Sequence, residues 1–193
     1  MKSDSFQVLA PNKRLHFKPL TDISAKIFPD FGYFGMYRYI ADYYLGNSHY
    51  DWFVSRIGCV NNQIVTHWGV WNYAMRVGAA KLKTAGIGAV LTHPDFRRKG
   101  LLLKTARPSL DVAQKAGYDI SILFGILSLY HKLSYTRAWM QSSYTVSTQD
   151  LPKEKPDLPC RKLSNSKFKE ITALYNRKTA GLFRHYFLPG ILC

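Results

Sequence analysis

The chain has 193 residues, a length that suits one well-buried domain with room for a small appendage. Hydrophobic residues make up 47% of the sequence and aromatic residues 15%, which excludes an intrinsically disordered chain. The formal net charge of +15 predicts an anionic partner, but charge alone leaves nucleic acid, a membrane surface, a polyanionic cofactor and a generic basic surface open.

Cysteine usage and the N-terminal sequence bear on the compartment. Cys59, Cys160 and Cys193 are odd in number and lack metal-ligand spacing, so we expect neither a disulfide framework nor a metal site. Residues 1–17 lack the apolar core of a signal peptide, and no run reaches the roughly 18 apolar residues that a membrane span requires. These features predict a cytoplasmic protein.

The N-terminal region is rich in proline and then in tyrosine. Pro11, Pro19 and Pro29 predict loops with brief helical turns over residues 1–35. The segment MYRYIADYYL (36–45) brings apolar and aromatic residues round at helical spacing and predicts a helix that ends near Gly46. We interpret its tyrosines as core residues, with a pocket lining as the alternative.

Strand patterns dominate from residue 51 to residue 93. DWFVSRIGCV and QIVTHWGVWNYAMRVG flank the pair Asn61 and Asn62, which tolerate left-handed backbone, and LKTAGIGAVLTH follows after a second short connection. Three successive antiparallel strands are therefore predicted. Gly86 and Gly88 in the third strand indicate a bulge, a close approach of backbone or ligand, or tight packing against another layer.

A cation-rich junction between a strand and a helix follows. Arg97, Arg98, Lys99 and Gly100 precede a leucine-rich segment, and we place them around the first turn of its helix. A helix N-terminus exposes unpaired N–H groups and the positive end of the helix dipole, and guanidinium groups bind phosphate through a bidentate fork. The junction is therefore a candidate phosphate-binding site.

The predicted helix leads into one crossover. We expect Pro108 to kink or divide the helix and Gly117 to end it. The run ISILF (120–124) predicts a buried, parallel strand, which completes a right-handed βαβ unit. A short helix over 128–133 and a strand in RAWMQSSYTVS (137–147) follow. The apolar face of the long helix is predicted to comprise Leu102, Leu103, Ala106, Leu110 and Ala113.

The composition changes beyond residue 150. Three prolines over 152–159 predict a linker, and SNSKFKEITALYNRKT (164–179) predicts an amphipathic helix. The ending GLFRHYFLPGILC is apolar and aromatic, which is unusual for a self-contained domain. We therefore predict one domain over 1–150 and, over 151–193, a linker plus helix that begin a second, truncated domain. The side chains predicted to face inward from this helix are Phe168, Ile171, Leu174 and Tyr175.

The order of these motifs resembles a known family. Three antiparallel strands, the segment VLTHPDFRRKG opening a helix, and AGYDISILFGILSLYHKLSY resemble the GNAT acetyltransferase fold over residues 50–140. Within that superfamily the chain is most similar to the N-terminal domain of the enhanced-intracellular-survival (Eis-like) branch. The resemblance implies an α/β (mixed α+β) fold, a three-layer α/β/α arrangement with a central mixed, mostly antiparallel sheet.

The resemblance also implies a donor site for acetyl-CoA as co-substrate, without a metal. Arg97, Arg98, Lys99, Gly100, Leu101 and Leu102 correspond to the pyrophosphate loop, and Val90 and Thr92 to the strand that offers backbone hydrogen bonds to the pantetheine arm and thioester. Tyr130 matches the tyrosine that protonates the leaving thiolate, a role open to a phenol of pKa about 10. The alternative for Tyr130 is a packed aromatic. The implied reaction is acetyl transfer to a primary amine by direct attack.

The sequence departs from the family at two positions that bear on the site. Leu102 stands where the superfamily usually has a small residue, which narrows the room over the phosphates. Ser134 replaces the glycine that normally precedes the aromatic at Tyr135.

The general base and the acceptor stay open. No Asp or Glu lies between Asp51 and Asp95, so the strands offer no carboxylate. His67 and His93 are the titratable groups there, and a structural role is favoured for both. A polycationic acceptor such as an aminoglycoside needs an acidic mouth, to which the region of Asp30, Asp42 and Asp51 could contribute.

Two other functions compete with acetyl transfer. The absent carboxylates and the interrupted C-terminus are also consistent with a catalytically silent acyl-CoA-binding domain. A basic nucleic-acid-binding module would exploit the charge, but it is disfavoured because no readout motif is present. We expect no membrane partner, and the oligomeric state is left open between a monomer and a homo-oligomer.

Overall fold

A five-stranded sheet forms the centre of the protein, described here from a computed structural model that covers residues 5–28, 30–46, 49–138, 145–153, 164 and 167–178. Its shorter elements include a π-helical turn (Ile40–Gly46) and a 3-10 turn (Pro94–Phe96). The strands are β1 (Gln7–Leu9), β2 (Arg56–Val60), β3 (Gln63–Val77), β4 (Ala80–Thr92) and β5 (Ile120–Leu123). The α-helices are α1 (Lys13–Ile27), α2 (Gly32–Tyr39), α3 (Leu101–Lys115), α4 (Leu127–Tyr130) and α5 (Phe168–Lys178).

The sheet is mixed and its strands follow in chain order. β1 to β4 pair antiparallel, whereas β4 and β5 pair parallel across the crossover through α3. Asn61 and Asn62 form the turn between β2 and β3 with φ of 48° and 62°, because asparagine tolerates left-handed backbone better than most residues. The predicted mixed α+β class and the three antiparallel strands are confirmed.

Helices cover both faces of the sheet. On one face α1, α2 and the π-helical turn bury a core that includes Leu20, Met36 and Ile40. On the other face α3 buries Ala106 and Ala113. The sheet residues beneath them alternate along the regular stretches of strand, and an extra residue of β3 between Ile64 and Thr66 shifts the alternation there. Ile57, Cys59, Ile64 and Trp71 belong to the first core, and Trp68, Val70, Ala85 and Ile87 to the second.

The N-terminal region is more helical than predicted. The expected loops and brief turns are wrong, because α1 runs continuously for 15 residues with Pro19 inside it. The Asn12 side chain accepts from the N–H groups of Arg14 and Leu15 and so caps the first turn. Cap and core burial together outweigh the one hydrogen bond that Pro19 removes. The helix predicted over 36–45 is present, although it begins at Gly32 and widens to π geometry.

Pro108 does not divide α3, contrary to the prediction. The helix is continuous from Leu101 to Lys115, and polar anchors hold it on both sides of the proline. Ser109 Oγ donates to the carbonyl oxygen of Val54 at 2.7 Å, and Thr105 bonds to Thr66 on β3. These contacts also turn the helix, so that its buried face centres on Leu101, Thr105, Ala106, Ser109 and Ala113, while Leu102, Leu103 and Leu110 are half-buried.

In the C-terminal half, two elements differ from their predictions. β5 is half-buried rather than buried, because it is the last strand of the described sheet. α5 is present, but the prediction that its apolar side chains face inward is wrong. The strand predicted around 137–147 and the linker fall largely on residues 139–144 and 154–163, outside the described residues, as does the ending from 179. Exposed fractions on α5 are 36% for Phe168, 45% for Ile171, 47% for Leu174 and 43% for Tyr175.

No helix within the described ranges is long and apolar enough to cross a membrane.

Gly86 gives a testable prediction about strand β4. A Cβ at this position would lie 2.5 Å from two ring carbons of Tyr73, which covers the strand from β3. We expect Gly86→Ala to lower the free energy of unfolding by about 1–3 kcal/mol in a urea titration, because the ring must move. In the Tyr73→Ala background the same change should cost less. Equal costs in both backgrounds would refute this reason for the glycine.

Candidate active site

The candidate donor site lies where β4 and β5 part. Parallel pairing starts at Thr84 and Ile120 and ends at Ile87 and Leu123, while β4 continues to Thr92. Among the described residues, segment 88–92 therefore has no strand bonded on its β5 side. Apart from the Thr92 carbonyl oxygen, which accepts from Arg97 Nε, the backbone groups on that side are open to a ligand. Val90 and Thr92, predicted to bind the pantetheine arm, both lie in this segment.

The predicted phosphate-binding cations form the loop between β4 and α3. Arg97, Arg98 and Lys99 are exposed. They lie in the loop before α3, which begins at Leu101, so the prediction that they belong to the first turn of the helix is wrong. Arg97 Nε donates to the carbonyl oxygen of Thr92 at 3.3 Å, and Lys99 Nζ lies 5.1 Å from the centre of the Phe96 ring. These contacts hold the cations at the end of β4.

The backbone of this loop presents unpaired donors. Arg98 and Gly100 have φ of 61° and 69°, and Gly100 is the residue before α3. The N–H groups of residues 98–103, which include Leu101 and Leu102, donate to no acceptor among the described residues. Consecutive N–H groups in such a loop form a concavity that binds anions, and the helix dipole adds to the attraction. The geometry suits a diphosphate.

A buried hydroxyl pair ties α3 to the sheet next to this loop. Thr105 Oγ1 donates to the carbonyl oxygen of Leu101 at 2.9 Å, and it lies 2.6 Å from Thr66 Oγ1. Since the Thr105 hydroxyl has one hydrogen, Thr66 is the donor in the second bond. Thr66 in turn pairs with Thr92 across the sheet. The first turn of α3 is thereby fixed relative to the end of β4.

Tyr130 lies on α4, beyond the end of β5. Its hydroxyl borders the backbone of Gly125, where an added Cβ would lie 3.1 Å from the phenolic oxygen. The ring centre is 6.1 Å from that of Trp68 and 6.2 Å from that of Tyr135. The hydroxyl donates to no described residue, and burial raises the pKa of Tyr130 above its usual range. A protonated phenol with a free donor therefore stands beside the β4–β5 opening.

The comparison with family models decides the family. A model described as an acetyltransferase (GNAT) domain matches residues 38–138, more than half of the chain. The chain belongs to the GNAT acetyltransferase family. No curated protein sequence matches it.

Solved structures with the same fold support this membership. A putative acetyl transferase from Pyrococcus furiosus has a TM-score of 0.62 at 11% identity, over 74% of this chain and 100% of that one. A GNAT family acetyltransferase from Brucella melitensis, in complex with acetyl-CoA, has a TM-score of 0.55 at 16% identity, over 69% and 84%. The aminoglycoside N-acetyltransferase AAC(6')-Iy, in complex with CoA, has a TM-score of 0.59 at 11% identity, over 75% and 97%. At these identities the likeness concerns the fold.

Around the GNAT site the structure adds contacts that the sequence does not predict. Trp68 is fully buried beside Tyr130, and its indole N–H has no acceptor among the described residues. Tyr135 and Ser121 share a short hydrogen bond between their hydroxyls. Ser134, which replaces the usual glycine, has a φ of 64° and so keeps the turn geometry. The strand alternation could have placed Trp68 on this face, but the other contacts depend on tertiary structure.

The candidate acids and bases are mostly engaged. Both Asp51 oxygens are occupied, since Oδ1 accepts from the N–H groups of Phe53 and Val54 and Oδ2 from the Tyr118 hydroxyl at 2.8 Å. Asp51 is therefore a structural residue and not part of an acidic mouth, whereas Asp30 and Asp42 are exposed. Within the described ranges, no group of three or more His, Cys, Asp or Glu side chains is placed to hold a metal ion.

The two candidate histidines differ. His67 is 1% exposed, with Nε2 2.8 Å from the Tyr50 hydroxyl and Nδ1 2.8 Å from the carbonyl oxygen of Ala89. Both ring nitrogens are occupied, so the favoured structural role fits. His93 follows β4, and its Nδ1 lies 3.8 Å from Asp95 Oδ2, too far for a hydrogen bond.

We expect the buried His67 to make the free energy of unfolding depend on pH. Burial lowers the pKa of His67 to about 4 from an ordinary value of 6.5, against the opposing effect of the Ala89 carbonyl. Between pH 6.5 and pH 4 the unfolded chain binds a proton here that the folded chain does not, so stability falls as pH falls through this window. The full loss is about 3 kcal/mol. Urea titrations across this window should show a shallower pH dependence for His67→Gln than for wild type, and equal slopes would contradict the assignment.

Proposed function

We propose that this GNAT domain is an acetyl-CoA-dependent N-acetyltransferase that transfers the acetyl group to a primary amine by direct attack. One observation carries the proposal most strongly: the open edge of β4 over 88–92 leads directly into the loop of unpaired N–H groups and exposed cations. An extended ligand with a diphosphate at one end and amide groups along its arm has the matching chemistry.

The donor would bind along β4. Arg97, Arg98 and Lys99, with the backbone of Gly100, Leu101 and Leu102, would bind the diphosphate, since charge-assisted hydrogen bonds to phosphate are among the strongest available. Val90 and Thr92 would bond the pantetheine amides through their backbone, as an added strand would. This extended binding would fix the thioester near the end of β5 and lower the entropic cost of reaction.

Tyr130 would act as the general acid. The amine nitrogen attacks the thioester carbonyl carbon, a C–N bond forms, and the oxyanion is stabilised by strand backbone N–H. When the tetrahedral intermediate collapses, the C–S bond breaks and the Tyr130 hydroxyl gives its proton to the thiolate. The phenol recovers a proton from solvent. Its raised pKa keeps it protonated at neutral pH, which the role requires.

No protein carboxylate is available on the strands to take the proton of the amine. β2 to β5 contain no Asp or Glu, and both nitrogens of His67 are engaged. We propose that the amine loses its proton to water. An aminoglycoside N-acetyltransferase shares this fold, and an amine acceptor is proposed by analogy. The net charge of +15 disfavours a polycationic acceptor.

We also propose that the chain belongs to the Eis-like branch, with residues 1–150 as the acetyltransferase domain and 151–193 as the start of a second domain. The exposed apolar side chains of α5 support the proposal of a second domain, because a stripe of apolar side chains is normally buried against other parts of a protein. The cytoplasmic location stays a prediction.

Turnover tests the proposed function. Coenzyme A release from acetyl-CoA should be followed with a thiol reagent across a panel of monoamines, diamines and aminoglycosides, with acetylated product identified by mass spectrometry. We expect amine-dependent release with at least one monoamine. Acetyl-CoA binding without any turnover would favour the catalytically silent acyl-CoA-binding domain. The absence of Asp and Glu from β2 to β5 is the reason for testing this alternative. Salt-sensitive binding to DNA or RNA without binding to acetyl-CoA would favour the nucleic-acid module.

A further inference from the structure

Strand β4 contains a bulge within segment 88–92, which pairs with β3 but not with β5. His67 pairs with Leu91 and Gly69 pairs with Gly88, so β3 contributes one residue between these pairs where β4 contributes two. The two residues on β4 are Ala89 and Val90. Ala89 has a φ of 45°, a left-handed conformation that costs an L-residue about 1 kcal/mol. Surrounding contacts must therefore hold this bulge.

His67 supplies the contact that fixes the bulge. Its Nδ1 lies 2.8 Å from the carbonyl oxygen of Ala89, which can only accept, so the proton must be on Nδ1. In the neutral ring Nε2 is then an acceptor, and the Tyr50 hydroxyl 2.8 Å away donates to it. The chain of bonds runs from Tyr50 through His67 to Ala89, and every donor in it has an acceptor.

The aromatic core holds this chain of bonds in place. The Tyr50 ring packs at 5.0 Å from Trp71 and 4.7 Å from Trp52, measured between ring centres. The Trp71 ring in turn covers Gly88, where an added Cβ would lie 3.0 Å from it. Tyr50 and His67 are both buried, so their hydrogen bonds face no competition from solvent. The contacts that fix the imidazole therefore come from the core that α1 and α2 cover, on the face of the sheet away from α3.

The bulge decides which residues of β4 face β5. Successive residues of a strand direct their backbone groups to opposite sides, so one extra residue exchanges the roles of Val90 and Leu91 from that point on. With the bulge in place Val90 packs with the α3 side of the sheet, near Trp68 and Tyr130, while Leu91 is buried. Without the bulge the edge would present a different set of donors to the thioester.

We propose that His67 is a positioning residue of the donor site: it holds the Ala89 bulge and thereby sets the Val90 backbone in the register that the thioester requires. The inference rests on the proposed function for its catalytic consequence. His67 does not touch the substrate in this role and does not act as the general base.

Two variants separate this role from a catalytic imidazole. His67→Phe removes the donor to Ala89, whereas His67→Gln keeps an amide N–H for Ala89 and an oxygen for the Tyr50 hydroxyl. We expect His67→Phe to lower kcat about 100-fold with KM for acetyl-CoA within about threefold, because misplacement of reacting groups by about 1 Å costs this much. His67→Gln should recover at least about tenfold of that loss. A folded Gln variant as inactive as the Phe variant, or a fully active Phe variant, would overturn the proposal.

A spectroscopic readout keeps the test independent of activity. In the ¹⁵N-labelled wild-type protein we expect the His67 ring to show protonated Nδ1 and unprotonated Nε2 at neutral pH, and His67→Phe to shift the amide signals of residues 88–91 more than His67→Gln does. The opposite tautomer would overturn the proposal even if the Phe variant fails to fold, and equal shifts in two folded variants would overturn it as well. Should wild type transfer no acetyl group while the tautomer is as expected, the proposed function fails and the structural role of His67 stands.

Discussion

Replacing Arg97 and Arg98 together with alanine is expected to weaken acetyl-CoA binding about 100-fold, measured by calorimetry. Both side chains are exposed in the loop whose N–H groups have no described acceptor. A hydrogen bond to a charged group contributes about 1.5–3 kcal/mol, and each 1.4 kcal/mol is about tenfold in affinity, so the loss of two such contacts gives this magnitude. The residual affinity should come from the backbone N–H groups.

A matched control separates local binding from net charge. Arg14 and Lys18 are exposed cations on α1, and Arg14→Ala with Lys18→Ala removes the same charge away from the loop. This control should retain affinity within about threefold at physiological salt, where the Debye length is about 8 Å. If both double variants bind equally well, or lose affinity equally, the diphosphate assignment of the loop is wrong.

Removing the Tyr130 hydroxyl is expected to lower kcat by about 100-fold while acetyl-CoA affinity stays within about twofold. A general acid typically contributes a factor of about 10²–10⁴, and Phe at this position keeps the ring contacts with Trp68 and Tyr135. Steady-state kinetics with a monoamine acceptor, together with calorimetry, measures both quantities for Tyr130→Phe.

Tyr135→Phe is the control for that experiment. The Tyr135 hydroxyl is bonded to Ser121 and so is occupied, unlike that of Tyr130. We expect this variant to lose stability of about 1 kcal/mol and to keep kcat within about threefold. Full turnover in Tyr130→Phe would assign that tyrosine to packing alone. Equal loss in both variants would place the effect in the aromatic cluster.

Local signals predicted the part of the fold that contains the site. The Asn61 and Asn62 turn follows from a conformational preference of single residues, and the strands around it follow from alternation. The position of the cation loop followed from the VLTHPDFRRKG motif. These features depend on neighbours in sequence, so a sequence interpretation can reach them.

The errors arose where tertiary contacts override local preference. The residue type predicts breaks at Pro19 and Pro108, yet a capping Asn12 and buried bonds from Thr105 and Ser109 keep both helices continuous. Proline removes one hydrogen bond and adds one steric conflict, and a buried face with anchors can offset that cost. The burial of hydroxyls on α3 is not visible in a hydrophobic pattern.

The bulge in β4 depends on contacts between residues that are far apart in the sequence. Alanine has no preference for a positive φ, so nothing local predicts the bulge at Ala89. Its partner His67 lies 22 residues earlier, and the Tyr50 that completes the chain lies another 17 before that. His67 is recognisable from the sequence as a titratable group, but its hydrogen-bond partners are not.

Hydrogen–deuterium exchange with and without acetyl-CoA tests most directly where the donor binds. We expect protection of backbone amides over 88–103, which covers the open edge of β4 and the loop, and a smaller effect around Tyr130. The groove between α1 and the β2–β3 turn, lined by Asp22, Lys26 and Asn62, should be unchanged. Protection confined to that groove, or no protection over 88–103 at saturating acetyl-CoA, would show that the donor does not bind along β4.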